Sequence, residues 1–234
     1  MATLIEKLKI VKAVAFDIDG TLYPEEHFFL RITPFMIRHL KLMIAFGEVR
    51  KKLRKLQIEN PEEPLADFFD LQATLIAEKT GKDAKAVKNF IETEIYQGWK
   101  KYFDKVKPFP HMLQTIKTLK AHGYKIALLS DFPPSQKNDV WGVLPLCDAA
   151  LGTEEVGALK PSPLSFYALA EKLKLPCNQI LYIGNNNYDV EGAKAAGCMV
   201  ACIQSGFSRI FGKRIQGADF FFSDYRQLLQ YMIQ

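Results

Sequence analysis

Cysteine is sparse in this chain of 234 residues: four, at Cys147, Cys177, Cys198 and Cys202, with no C-x-x-C pairing. A chain this long buries enough surface to do without disulfide staples, so the four read as reduced thiols and the expected location is cytoplasmic. Long apolar runs are missing too. Met1 to Lys12 interrupts its apolar residues with Glu6, Lys7, Lys9 and Lys12, so neither a signal-peptide core nor a spanning helix is expected. Internal repeats and low-complexity tracts are lacking. With 14 glycines, 12 prolines, 48% hydrophobic and 24% charged residues, the composition excludes disordered and fibrous classes and leaves an ordinary globular protein.

The formal net charge of +5 is not spread along the chain. Between Phe28 and Gln57 stand Arg31, Arg38, Lys41, Arg50, Lys51, Lys52, Arg54 and Lys55 against a single acid, Glu48. The rest of the chain is close to neutral, so whole-protein nucleic-acid binding is not implied. Trp99, Tyr102 and Phe103 do not interleave with the basic cluster as a single-strand platform requires, and they are expected to pack where the insert rejoins the core. The cluster from Arg50 to Lys55 reads as a solvated face that attracts anionic substrates. The apolar positions from Phe28 to Phe46, broken by Arg31, Arg38, His39 and Lys41, suit a buried helix. At most they allow weak contact of residues 28–57 with an anionic surface, without membrane insertion.

Val11–Asp17 is a short apolar run rich in β-branched residues, as expected of a strand buried on both faces. Similar runs recur at Tyr124–Ser130, Ile180–Gly184 and Cys198–Ile203, with two shorter ones at Ala149–Leu151 and Asp219–Phe222. Amphipathic stretches at Met112–His122, Leu164–Leu173 and Val190–Ala196 fall between them. This alternation predicts an α/β fold, a doubly wound parallel sheet. From about Phe28 to Phe103 the alternation stops and only helical periodicity remains, punctuated at Asn60-Pro61, Pro64 and Thr80-Gly81, so an all-helical insert is expected there.

Ligands of such sheets bind at the carboxyl ends of strands. The first strand leads into Asp17-Ile18-Asp19-Gly20-Thr21, the second into Ser130-Asp131, and the fourth into Gly184, Asn185, Asn186, Asn187 and then Asp189. Each piece alone fits a turn or a helix cap, with Asp189 as the N-cap of a helix beginning at Val190. Their conjunction at three strand ends is what points to a site.

Asp17-Ile18-Asp19-Gly20-Thr21-Leu22 after an apolar strand, Ser130 after Ala127-Leu128-Leu129, Lys160-Pro161, and Gly184 to Asp189 followed by Glu191-Gly192-Ala193-Lys194-Ala195-Ala196-Gly197 resemble the four motifs of the haloacid dehalogenase-like hydrolase superfamily, in the same order. The resemblance implies a Rossmann-like core from residues 1–23 and 106–234, with residues 24–105 as a small all-α cap. It implies Asp17 as nucleophile, Asp19 as general acid and base, and Ser130 and Lys160, with Asp131 beside them, as ligands of a transferring phosphoryl group. It further implies Mg2+, held by Asp17, Asp19, Asp189 and Asn185, and a small phosphorylated substrate. Ser162 and Pro163, read as an N-cap and first helical residue, would fix Lys160 in a loop beside the site. His27 and His111 are left out of the catalytic set.

One position departs from the pattern. Where the superfamily usually has Gly-Asp, this chain has Gly184-Asn185, and a neutral oxygen there weakens a metal site. Two alternatives to a phosphomonoesterase follow: a metal-independent 2-haloacid dehalogenase, for which the Asn186 to Asp189 spacing speaks, and a non-catalytic protein that binds a phosphorylated ligand. Asp19 argues against the first, since those enzymes typically lack the second aspartate. The joint presence of Asp17, Asp19, Ser130 and Lys160 argues against the second.

Overall fold

The computed structural model describes residues 4–204 and 215–233; the first three residues of the Met1–Lys12 segment lie outside that range. Among the described residues, six strands form one parallel sheet in the order β3-β2-β1-β4-β5-β6: β1 Ala13–Phe16, β2 Lys125–Ser130, β3 Ala149–Gly152, β4 Ile180–Gly184, β5 Met199–Ile203 and β6 Phe220–Phe222. All the strands expected from the sequence are present, with ends shifted by a residue or two. β1 is the centre. Val14 pairs with Ile126 on one side and Leu181 on the other, and all four β1 residues are buried.

The strict alternation of a strand splits these residues between two cores. Ala13 and Ala15 of β1, Ala127 and Leu129 of β2, and Tyr182 of β4 pack on one face against Phe166, Leu169, Val190 and Ala193. Those partners belong to the helices Leu164–Leu173 and Asn187–Ala195. Val14, Phe16, Ile126, Leu128, Leu181 and Ile183 face the other way, against Met112, Ile116 and Leu119 of the helix Met112–Ala121 and Tyr225 and Leu228 of the helix Tyr225–Met232. Small residues on one side of β1 and large ones on the other let helices close on both faces. That is the doubly wound arrangement expected from the sequence.

The chain leaves this sheet after β1 and returns at β2 through a helical block. It runs Glu25–Arg38, Leu40–Glu59, Phe68–Thr80 and Ala84–Phe90, continues as a π-turn over Ile91–Gln97, and ends with Lys100–Phe103. Stops read from the sequence recur: Leu40–Glu59 ends before Asn60-Pro61, and Phe68–Thr80 ends at Gly81, whose φ of +73° suits a glycine cap. The block rejoins the core through aromatic packing. Phe28 stacks on Phe103 with ring centres 4.2 Å apart, and Tyr23 sits 5.0 Å from Trp141 and 6.0 Å from Phe103. Among the described residues no helix is long and apolar enough to cross a membrane.

One helix start differs from the expectation. The helix placed at Val190 begins at Asn187, because Asn186 caps it: its side-chain oxygen accepts from the Asp189 N–H at 3.1 Å. Asp189 is therefore the third helical residue and not the cap.

Tyr225, fully buried, donates from its hydroxyl to the Thr21 carbonyl at 2.7 Å and so ties the C-terminal helix to the turn after β1. Tyr225→Phe leaves that buried carbonyl without this partner. It is expected to lower stability by about 1–2 kcal/mol in urea titrations, with the fold retained by circular dichroism.

Candidate active site

Asp17 stands one residue past β1 and still donates its N–H to the Ile183 carbonyl at 2.9 Å, so the sheet fixes its backbone. Its side chain, 4% exposed, accepts from Lys160 Nζ at 2.7 Å on one oxygen and from Thr21 Oγ1 at 3.0 Å on the other. The chain then turns at Gly20, which has a φ of +75°. A Cβ there would lie 1.9 Å from the Asn185 amide nitrogen, so only glycine lets the first and fourth motifs touch. The turn brings Asp19 back beside Asp17. Tyr23 donates to one Asp19 oxygen at 2.5 Å; Lys137 Nζ lies 3.2 Å from the other, and Ser130 Oγ donates to it at 3.4 Å.

Lys160 joins the first motif to the fourth. Its ammonium, 5% exposed, donates to Asp17 and Asp189 at 2.7 Å each and to Tyr182 Oη at 3.2 Å. Ser162 Oγ accepts from the Leu164 N–H at 3.3 Å, but the helix begins at Leu164 with Pro163 at its cap position, one residue later than expected. Asp189 is fully buried with both oxygens engaged. One takes Lys160 and Tyr182, the other the N–H groups of Asn185 and Asn186 at 3.0 and 3.3 Å. This close fold requires Gly184, where a Cβ would sit 2.4 Å from that of Asp189.

The basic cluster does not behave as one solvated face. Lys51, Lys52 and Lys55 are exposed, but Arg50 is buried and Arg54 half-buried, both turned into the site. Arg50 pairs with Glu154, which also accepts from Tyr96 Oη at 2.6 Å, and lies 3.7 Å from Asp131. Arg54 pairs with Asp131 and donates from Nε to the Lys160 carbonyl at 3.2 Å. Asp131, proposed from sequence to bind substrate, is thus held by two arginines, Thr153 Oγ1 at 3.1 Å and the Lys160 N–H at 3.4 Å. The arginines were hidden by their neighbours. On the helix Leu40–Glu59 the buried positions are Leu42, Ala45, Phe46, Val49, Leu53 and Gln57, and Arg50 falls within that stripe; a helical wheel would have singled it out.

Burial drives the electrostatics. It pushes the Asp17 carboxyl up to about 8, reinforced by Asp189 and Asp19 and only partly offset by Lys160. Burial alone would pull Lys160 down, but Asp17 and Asp189 more than reverse it and keep the ammonium charged. Asp131 is raised by burial and lowered further by Arg54, Lys160 and Arg50, so it stays ionised well below the usual range. Tyr23, buried beside Asp19, is pushed well above an ordinary phenol and remains a donor.

These groups open onto a cavity of about 350 Å³. Asp17, Asp19, Glu25, Asp131 and Lys160 form its floor and rim, and the helical block supplies Phe28, Ile32, Met36, Met43, Phe46 and Trp99. His27 and His111 do not line it. Among the described residues no group of three His, Cys, Asp or Glu side chains is placed to hold a metal. The mouth nevertheless carries hard oxygen donors, the carboxyls of Asp17, Asp19 and Glu25, while Asn185 turns its amide nitrogen toward Gly20 and accepts on its oxygen from Asn186 at 3.0 Å. Magnesium is commonly bound by one or two carboxylates, with water and substrate phosphate completing its shell, and this donor set fits it.

A family model described as haloacid dehalogenase-like hydrolase matches residues 11–197. The chain belongs to that family. It is 31% identical over 124 residues to a phosphoglycolate phosphatase of Haemophilus influenzae, covering 52% of this chain and 55% of that protein, so it spans about half the length of that relative. A phosphoglycolate phosphatase of Yersinia pseudotuberculosis is 27% identical over 218 residues, 89% of this chain and 87% of that one. Among solved structures, a haloacid dehalogenase family phosphatase from Thermococcus onnurineus superposes with a TM-score of 0.63 at 24% identity, covering 95% of this chain and 98% of that one. An L-2-haloacid dehalogenase from Xanthobacter autotrophicus gives 0.63 at 19% identity, covering 96% of this chain and all of that one. Both share this hydrolase's fold.

Removing one partner of the buried Arg50–Glu154 pair strands the other. Glu154→Leu is expected to cost about 3–5 kcal/mol in urea unfolding, whereas Arg50→Met combined with Glu154→Leu costs clearly less than the two single changes added together. Strict additivity would show that the pair is not coupled.

Proposed function

We propose that this hydrolase is a magnesium-dependent phosphomonoesterase acting through an aspartyl-phosphate at Asp17 on a small phosphorylated substrate. Residues 24–105 serve as the cap over a core made of residues 1–23 and 106–234. The observation that carries this reading is the second carboxylate. Asp19 lies at the cavity two residues beyond the nucleophile, its oxygens held by Tyr23 Oη at 2.5 Å and Ser130 Oγ at 3.4 Å. A dehalogenase that displaces halide needs no group to protonate a leaving oxygen, whereas transfer from an ester does. The names of the phosphatase relatives point the same way.

In the first step an Asp17 carboxylate oxygen forms the bond to phosphorus as the ester P–O bond breaks, and Asp19 gives its proton to the departing alkoxide. In the second, Asp19 takes a proton from the water that attacks phosphorus, which releases inorganic phosphate and returns Asp17. Lys160 stabilises the phosphoryl oxygens and is itself held in place by Asp189, while the Ser130 hydroxyl, which donates to Asp19 in the free site, turns to one of them. Magnesium, held by the Asp17 carboxylate, the Asp19 backbone carbonyl and Asn185, with Asp189 close by, would neutralise phosphoryl charge so that two anions can meet.

Phosphate release from a panel of monoesters tests the reading, with magnesium or chelator and with 2-haloacids as control. Chelator and Asp17→Asn are each expected to abolish turnover, and Asp19→Asn to lower kcat by about 10²–10⁴. Halide release without metal would install the dehalogenase instead, and silence throughout would leave a binding protein.

Asn185→Asp restores a negative charge at the mouth. It is expected to tighten magnesium binding by about tenfold or more in calorimetry. An unchanged affinity would remove Asn185 from the metal site.

A further inference from the structure

Resting on the phosphomonoesterase reading, we infer that the preferred substrate is a phosphate ester of an apolar alcohol, and that a second anionic group on the substrate is selected against. Two features of the cavity carry this. The first is its lining away from the phosphoryl site. Phe28, Ile32, Met36, Met43 and Phe46 converge there from two helices of the cap, and Trp99 from the turn before Lys100–Phe103. Such a wall gains free energy by covering alkyl or aryl surface and has little to offer a carboxylate.

The second is the state of the cations. A phosphorylated acid such as phosphoglycolate needs an unspent positive group to meet its carboxylate. The cavity's arginines are already committed: Arg50 to Glu154 with Asp131 beside it, and Arg54 to Asp131. Arg50 Nη2, which makes no hydrogen bond, is sealed from solvent and so is not presented to a ligand. Lys160 stands between two carboxylates, and Lys137 lies against Asp19. Glu25 adds a further carboxyl at the rim, pushed up by burial and by Asp19. A substrate carboxylate would have to break one of these pairs, leaving a partner buried and uncompensated, or sit among anions.

The test is kcat/KM of the full chain with magnesium for methyl, ethyl, butyl and hexyl phosphate and for phosphoglycolate. Efficiency is expected to rise about tenfold from ethyl to butyl phosphate, the value of two buried methylenes, and phosphoglycolate is expected to fall below ethyl phosphate. Met43→Gln, which keeps volume but adds polarity to the wall, is expected to reduce the butyl-to-ethyl ratio at least about threefold, and Met43→Leu to preserve it. The unsubstituted chain's series decides the matter even if the glutamine variant does not fold. A flat series, or phosphoglycolate as the best substrate, overturns the apolar specificity while leaving the phosphatase standing. No phosphate from any ester overturns the phosphatase reading, and this inference with it.

Discussion

A single ammonium group holds this site together. Lys160 Nζ lies 2.7 Å from both Asp17 and Asp189 and offsets part of the cost of burying two acidic side chains so close together. Asp17 is carried by the end of β1, Asp189 by the first turn of the helix Asn187–Ala195, and Lys160 by the loop before Leu164–Leu173. The charge in the middle therefore fixes three elements relative to one another, from both sides of the central strand. Glycines at 20 and 184 permit that closeness, and the backbone N–H groups of Asn185 and Asn186 satisfy the Asp189 oxygen that Lys160 leaves free.

A second buried network couples the helical block to the core. Arg50 and Arg54 reach down from the block to Glu154 and Asp131, and Tyr96 closes on Glu154 from the same side. Arg50 also lies over the Phe132 ring, 4.4 Å from its centre. The network engages the two cations of this segment that turn into the cavity, Arg50 and Arg54. The helical block and the sheet are thus joined by ion pairs at a cavity whose lining from the block is apolar.

The sheet was legible because its strands are buried on both faces and read as short apolar runs between amphipathic helices. Asp17, Asp19, Ser130 and Lys160 were legible because each follows a strand or precedes a proline in a fixed order. Other parts of the site could not be read from local pattern. Arg50 and Arg54 sit among Lys51, Lys52 and Lys55, and only the tertiary fold turns two of the five inward. Glu154 and Lys137 stand in a short helical turn and a 3-10 turn whose local sequence resembles solvent-facing chain, yet both are buried by the block packed over them. The capping role of Asn186 was missed for a different reason: a run of three asparagines offers several caps, and the choice depends on the reciprocal bond with Asp189.

The claim that joins geometry to chemistry is that Asp17 becomes covalently phosphorylated. Its direct measurement is mass spectrometry of the Asp17 peptide after acid quench of the Asp19→Asn variant turning over a monoester, with borohydride reduction to mark an acyl phosphate. One phosphoryl group is expected on Asp17 and none in Asp17→Asn. Turnover with Asp17 unmodified, or a label on another residue, would contradict it.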